Sequence, residues 1–368
     1  MNLRHRFASL FALLLFFTGA LAEAAEPQPK TQNVIFVMTD GLRWQEVFRG
    51  ADPALMNKES GVSNVEELKR LFWRDTPEAR REVLMPFLWQ TVGKNGQVLG
   101  NRDKGSEAFV TNGFHFSYPG YNETLTGFPD PRINSNDKIP NPNVTVLEWL
   151  NRMPQYRGRV AAFGAWDVIS AIVNGERGGF VANAGFVPFT VAPVSPALTA
   201  INRMKAETQM WGDEAFDAYP FHTALEYLKL RKPRVLYLSF GETDDWAHEG
   251  KYELYLKSAH RVDLYLKELW ETVQALPQYR GKTTLIFSPD HGRGEAPTDW
   301  KSHGQKLPDS KYIWMAFLGP DTPALGEKAG GGAVTQSQLA ATLAGLLGQD
   351  YAGAVPQAGK PIREVLPH

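Results

Sequence analysis

The chain contains no cysteine. Disulfides and thiolate metal sites are therefore excluded, and any metal centre has to be built from imidazole nitrogen and carboxylate or hydroxyl oxygen. Net charge is scarce too: 39 Lys and Arg against 40 Asp and Glu leave −1 over 368 residues. Such a balance predicts neither a nucleic-acid-binding surface nor an electrostatic patch for membranes. Beyond the first residues, no apolar run approaches the roughly 20 residues a bilayer demands. No internal repeat or linker-like stretch interrupts the chain.

What apolar run there is lies at the start. Arg4 and Arg6 form a basic opening, residues 10–17 are apolar, and Ala20-Leu21-Ala22 is a small-x-small site. This is the pattern of an export signal removed after Ala22, with a retained anchor as the alternative. The expected division is a signal at 1–22, a flexible leader at 23–32, and one domain at 33–368 with rim insertions near 50–81 and 175–220. A cysteine-free exported chain fits a bacterial periplasm or exterior, with no membrane span after signal removal.

The 43% hydrophobic content is enough for a large core. Residues 33–38, 159–163, 234–240 and 283–287 are apolar and β-rich, as in strands buried on both faces. Helical periodicity follows them, over 198–210, 222–230 and 254–276, with further helices expected at 86–93 and 336–347. Short strands are expected at 97–100, 108–110 and 312–318, and the tail is expected at the surface. Alternating strands and helices predict a mostly parallel central sheet covered by helices on both faces.

Three of these four core strands end in chemistry. Residues 283–294 run TTLIFSPDHGRG, so Asp290 and His291 stand at a strand's carboxyl end, where open α/β sheets place ligands. Taken alone, Asp-His-Gly fits a strand-end turn as well as a metal site. Asp40 follows the first strand, where a helix-capping role is also open to it. Asp244 and His248, four apart after the third strand, share one side of a helix turn. His303 lies in the loop beyond. These segments hold enough oxygen and nitrogen ligands for two divalent ions about 4 Å apart, a pair that clamps attacking and leaving oxygens. Three imidazoles make Zn²⁺ the first choice and Mn²⁺ the second. The nucleophile candidate is Ser117 in Phe116-Ser117-Tyr118-Pro119-Gly120, before an expected helix at 121–127. Metal coordination would activate its hydroxyl, and helix amides would favour an anion beside it.

In chain order these motifs are Asp after the first strand, Ser-x-Pro, Thr-Gly ten residues on, Asp-x-x-x-His, Asp-His-Gly and a final His-Gly. The ordered set resembles the alkaline phosphatase superfamily, in particular its nucleotide pyrophosphatase/phosphodiesterase type, across residues 33–303. That resemblance implies an alkaline-phosphatase-like three-layer α/β sandwich acting as a metal-dependent phosphoric ester hydrolase on a small-molecule phosphate ester. Asp40, Ser117, Asp290 and His291 would hold one metal, and Asp244, His248 and His303 the other. Ser117 would form a phosphoseryl intermediate. Asn136 would bind a phosphate oxygen, with Asn134 or a plain surface turn as alternatives.

The chain departs from the phosphodiesterase pattern in having Ser117 rather than Thr, and Gly120-Tyr121 rather than Asn-His. Mutases and phosphoryl or phosphoethanolamine transferases share the scaffold, as do non-catalytic binding proteins. An export signal speaks against a cytosolic mutase, and Ser117-Tyr118-Pro119-Gly120-Tyr121 lacks the Arg of the sulfatase motif.

Overall fold

Alternation along the central strands decides the architecture. In β1 (Asn33–Thr39), Ile35 and Val37 join one apolar core while Val34, Phe36 and Met38 join another on the opposite face. Successive strand side chains point to opposite faces, so a strand buried throughout must sit between two layers. The computed structural model describes residues 29–367; the expected export signal and residues 23–28 of the leader lie outside them.

The remaining strands, in chain order, are β2 (Gln97–Leu99), β3 (Ala108–Phe109), β4 (Val160–Gly164), β5 (Val181–Ala184), β6 (Val235–Phe240), β7 (Thr283–Pro289), β8 (Met315–Leu318), β9 (Gly326–Glu327) and β10 (Val334–Thr335). Eight of them form one sheet in the order β5-β4-β6-β1-β7-β8-β2-β9, and β3 pairs with β10 apart from it. From β5 to β7 all pairings are parallel; β8 runs antiparallel to both its neighbours. This is the mostly parallel three-layer sandwich expected.

One face is covered by the helices Ala218–Arg231 and Tyr252–Ala275, the other by Ser117–Thr126, Val146–Arg152 and Leu339–Leu346. In the Tyr252–Ala275 helix the apolar spacing buries Leu256, Val262, Leu266, Leu269 and Val273. Each such burial stabilises by about 1.5–3 kcal/mol. Truncating Leu266 to Ala would cost about 2–5 kcal/mol.

Several local expectations need correction. The helix predicted at 121–127 begins at Ser117, with Phe116 as its extended flanking residue. Residues 86–93 are helical as expected, but Leu88–Val92 wind as a π turn rather than an α-helix, and the approach to it is tied to the sheet-covering helix by Asp263 accepting the N–H groups of Phe87 and Leu88. Residues 50–81 are helical in part and bury Leu55, Met56, Val62, Leu68 and Phe72. Their charged majority hides an apolar stripe. The stretch 175–220 includes β5, a strand too short and too rich in Ala to announce itself. In the tail, Ile362, Val365 and Leu366 are buried rather than at the surface. Among the described residues, no helix is long and apolar enough to cross a membrane.

Candidate metal centre

Parallel register brings the strand ends level. Thr39 pairs with Phe240 on one side and with Pro289 on the other, so Asp40, Gly241 and Asp290 leave the sheet side by side. Six of the seven candidate ligands then form two groups, Asp40 with Asp290 and His291, and Asp244 with His248 and His303. Within each group the ligand atoms lie within 4.8 Å of one another.

The first group is buried. His291 Nε2 stands 3.2 Å from Asp40 Oδ1, 3.4 Å from Asp290 Oδ2 and 3.4 Å from Ser117 Oγ. Its Nδ1–H donates to the carbonyl of Gly292 at 2.8 Å, which leaves Nε2 as the free lone pair. Asp290 Oδ1 accepts from the backbone N–H groups of Gly41 and His291. Asp40 Oδ1 and Asp290 Oδ2, by contrast, are buried and accept no hydrogen bond among the described residues. Unpaired carboxylate oxygens in a protein interior are costly. Burial, then the neighbouring carboxylates, pushes both acids well above the usual range. A divalent cation among these atoms would remove both penalties, so the residues fit one.

The second group is more open: the His248 side chain is 46% exposed, against 0% for His291. Asp244 Oδ2 lies 3.0 Å from His248 Nε2, Asp244 Oδ1 lies 3.6 Å from His303 Nε2, and the two imidazole nitrogens are 2.9 Å apart. His303 Nδ1–H donates to the carbonyl of His115 at 3.1 Å, again freeing Nε2. The groups adjoin, with the His291 and His303 rings stacked at 3.9 Å and His291 Nε2 4.0 Å from Asp244 Oδ1. Burial lowers both imidazoles, His291 to about 4, so both are neutral donors at neutral pH.

Ser117 opens the Ser117–Thr126 helix, with its oxygen beside the first group. In the first turn Pro119 has no N–H, the Gly120 N–H goes to the Phe116 carbonyl, and Ser117's own N–H has no partner among the described residues. Asn136 Oδ1 accepts the N–H of Tyr118 at 3.0 Å, so its amide reaches the same helix start. Gly120 explains the departure noted in the sequence. The helix passes so close to β7's end that a Cβ there would stand 2.3 Å from the carbonyl oxygen of Asp290.

Other participants escaped the sequence reading. Tyr121 donates to Asp40 Oδ2. Arg293, buried, donates to Asp244 Oδ1. Against burial, which alone would raise it, Arg293 with His248 and His303 holds Asp244 well below the usual carboxylate range. Glu214 presses on Gly241 from the 175–220 stretch, its Oε1 without a hydrogen-bond partner among the described residues. Burial, then Asp245, raises it; burial, then Asp244, pushes Asp245 up to about 8. Arg293 was in plain view in Gly292-Arg293-Gly294; Glu214 had no local signal.

No protein-family model and no curated protein sequence matches the chain. Solved structures do. The alkaline phosphatase PafA aligns at a TM-score of 0.57 and 12% identity, over 93% of this chain and 100% of that one. A protein in the alkaline phosphatase superfamily from Vibrio parahaemolyticus aligns at 0.52 and 13%, over 92% and 71%. A phosphonate monoester hydrolase from Silicibacter pomeroyi aligns at 0.53 and 13%, over 91% and 76%. The chain thus has the fold of the alkaline phosphatase superfamily, as the motif order implied.

Proposed function

We propose that the chain is an exported, two-cation phosphoester hydrolase in which Ser117 is the nucleophile. One observation carries this reading: Ser117 Oγ lies 3.4 Å from His291 Nε2, beside the two buried, unpartnered carboxylate oxygens of Asp40 and Asp290. The likeness in fold to a phosphatase and to a phosphonate monoester hydrolase adds to it.

Asp40, Ser117, Asp290 and His291 would hold one cation, and Asp244, His248 and His303 the other, Zn²⁺ by preference and Mn²⁺ second. When bound, the ions would supply Lewis acidity and neutralise charge on the attacking and leaving oxygens. Ser117 Oγ would form the new bond to phosphorus as the ester oxygen departs. The backbone N–H of Ser117 and the side-chain NH2 of Asn136, whose oxygen is held by the Tyr118 N–H at the same helix start, would stabilise the phosphoryl oxygens. Water would then cleave the phosphoseryl bond, returning the serine hydroxyl and releasing phosphate.

The test compares initial rates on aryl phosphate monoester, diester, phosphonate and sulfate, with Zn²⁺ or Mn²⁺ restored to chelated protein. Ser117→Ala should lower phosphate ester hydrolysis by about a thousandfold or more while the protein still binds metal. Unchanged hydrolysis in that variant, or purified protein with no bound divalent ion, would defeat the proposal.

A further inference from the structure

Arg293 lies two residues beyond His291, at 1% exposure. Its Nε donates to the carbonyl of Trp300 at 2.8 Å and its Nη2 to the carbonyl of Lys301 at 2.6 Å. Nη1 is directed at Asp244 Oδ1. A guanidinium fixed by two backbone carbonyls in the interior cannot swing to solvent, and it stays charged at any physiological pH.

The two groups therefore differ in charge before any ion arrives. Asp40 and Asp290 are two carboxylates to which no Lys or Arg hydrogen-bonds among the described residues; their partners are Tyr121 and backbone N–H groups. Asp244 is a single carboxylate, already shared with a fixed positive charge. An ion entering beside it meets a spent anion and a like charge a few ångströms away. The groups also differ in access, with His248 half open to water and His291 enclosed.

We propose that Arg293 makes the two cation sites unequal: Asp40, Ser117, Asp290 and His291 hold a resident ion, while Asp244, His248 and His303 take a weakly held, exchangeable one. The proposal rests on the two-cation reading above and adds a regulation to it. Turnover would follow the free divalent ion in the surroundings, because the second site empties first.

The test is calorimetric titration of chelator-stripped protein with Zn²⁺ or Mn²⁺, together with the metal content left after desalting. Wild type should retain one ion per chain and bind the second at least about tenfold more weakly. Asp40→Asn should remove the tight step and His248→Ala only the weak one. Arg293→Met should tighten the weak step by about tenfold, whereas a residue that merely propped Asp244 would loosen it when removed. Two equally tight steps in wild type, or a second step that weakens in folded Arg293→Met, overturns the inequality. If that variant does not fold, the wild-type stoichiometry decides alone. Binding of no ion at either group overturns the two-cation reading itself, and the inequality with it.

Discussion

The phenol of Tyr121 donates to Asp40 Oδ2 at 3.1 Å, which leaves Oδ1 of the same carboxylate facing His291 Nε2 at 3.2 Å. Ser239 Oγ donates in turn to the phenol at 2.9 Å. A side chain on the nucleophile's helix thus sets the rotation of the carboxylate at the end of β1. Tyr121→Phe should cost about 1–3 kcal/mol by leaving buried polar atoms unpaired. It should also weaken cation binding at the buried group by about tenfold. Melting and calorimetric titration measure the two effects, and an unchanged affinity would rule out the orienting role.

Gly41 permits the turn that places Arg293 against Asp244. Its φ of 57° is left-handed, and a Cβ there would stand 2.6 Å from Asp244 Oδ1 and 2.7 Å from Arg293 Nη1. Gly41→Ala is expected to destabilise by about 1–3 kcal/mol and to disturb the open cation site more than the buried one. Denaturant unfolding with metal titration checks both; a variant as stable as wild type would contradict the close packing.

His115 acts through its carbonyl, which fixes the His303 tautomer, and it does so from a left-handed φ of 56°. Glycine adopts that conformation freely and a β-branched residue resists it. His115→Gly should hold the open-site affinity within about threefold, while His115→Val should lose about tenfold. Equal affinities in the two variants would show that the backbone conformation is not what matters.

Asp263 provides a pH test away from the metal centre. It accepts the N–H groups of Phe87 and Leu88 at 2.7 and 2.8 Å, yet burial pushes its carboxyl up to about 7. Between a pH of about 4 and about 7 the folded chain keeps a proton that the unfolded chain releases. Its contribution is therefore fully present below about 4 and is lost as pH rises through about 7. Asp263→Asn cannot titrate, so wild type should lose about 2–4 kcal/mol more than the variant between those limits. Urea midpoints at both ends of the window measure this, and parallel profiles would refute it.

Much of the centre was legible because its residues stand where apolar runs stop. Asp40 follows directly on the end of β1 and Asp290-His291 on the end of β7, each just past an apolar run, and Asp244 and His248 are paired by helical spacing. Such signals are local. Arg293, Glu214 and Tyr121 were missed for the opposite reason. Arg293 stands four residues past β7, yet only the path of residues 299–303 turns it toward Asp244 rather than solvent. Glu214 touches Gly241 across a fold contact that spacing cannot express. The start of the nucleophile's helix was misplaced because Pro119 and Gly120 read as a turn; Pro is tolerated in a helix's first turn, and Gly120 is required by the carbonyl of Asp290.

The order of residues by itself determined the parallel sandwich and which side chains stand at its strand ends, because runs of apolar residues stop where a buried strand must stop. Tertiary structure alone decided that those ends come level, that two carboxylate oxygens are left without partners, and that a buried arginine claims the third carboxylate. Those facts depend on register and on contacts between segments as many as 250 residues apart, such as Gly41 and Asp290. Neighbouring residues cannot encode such distances; they are set when the whole chain packs.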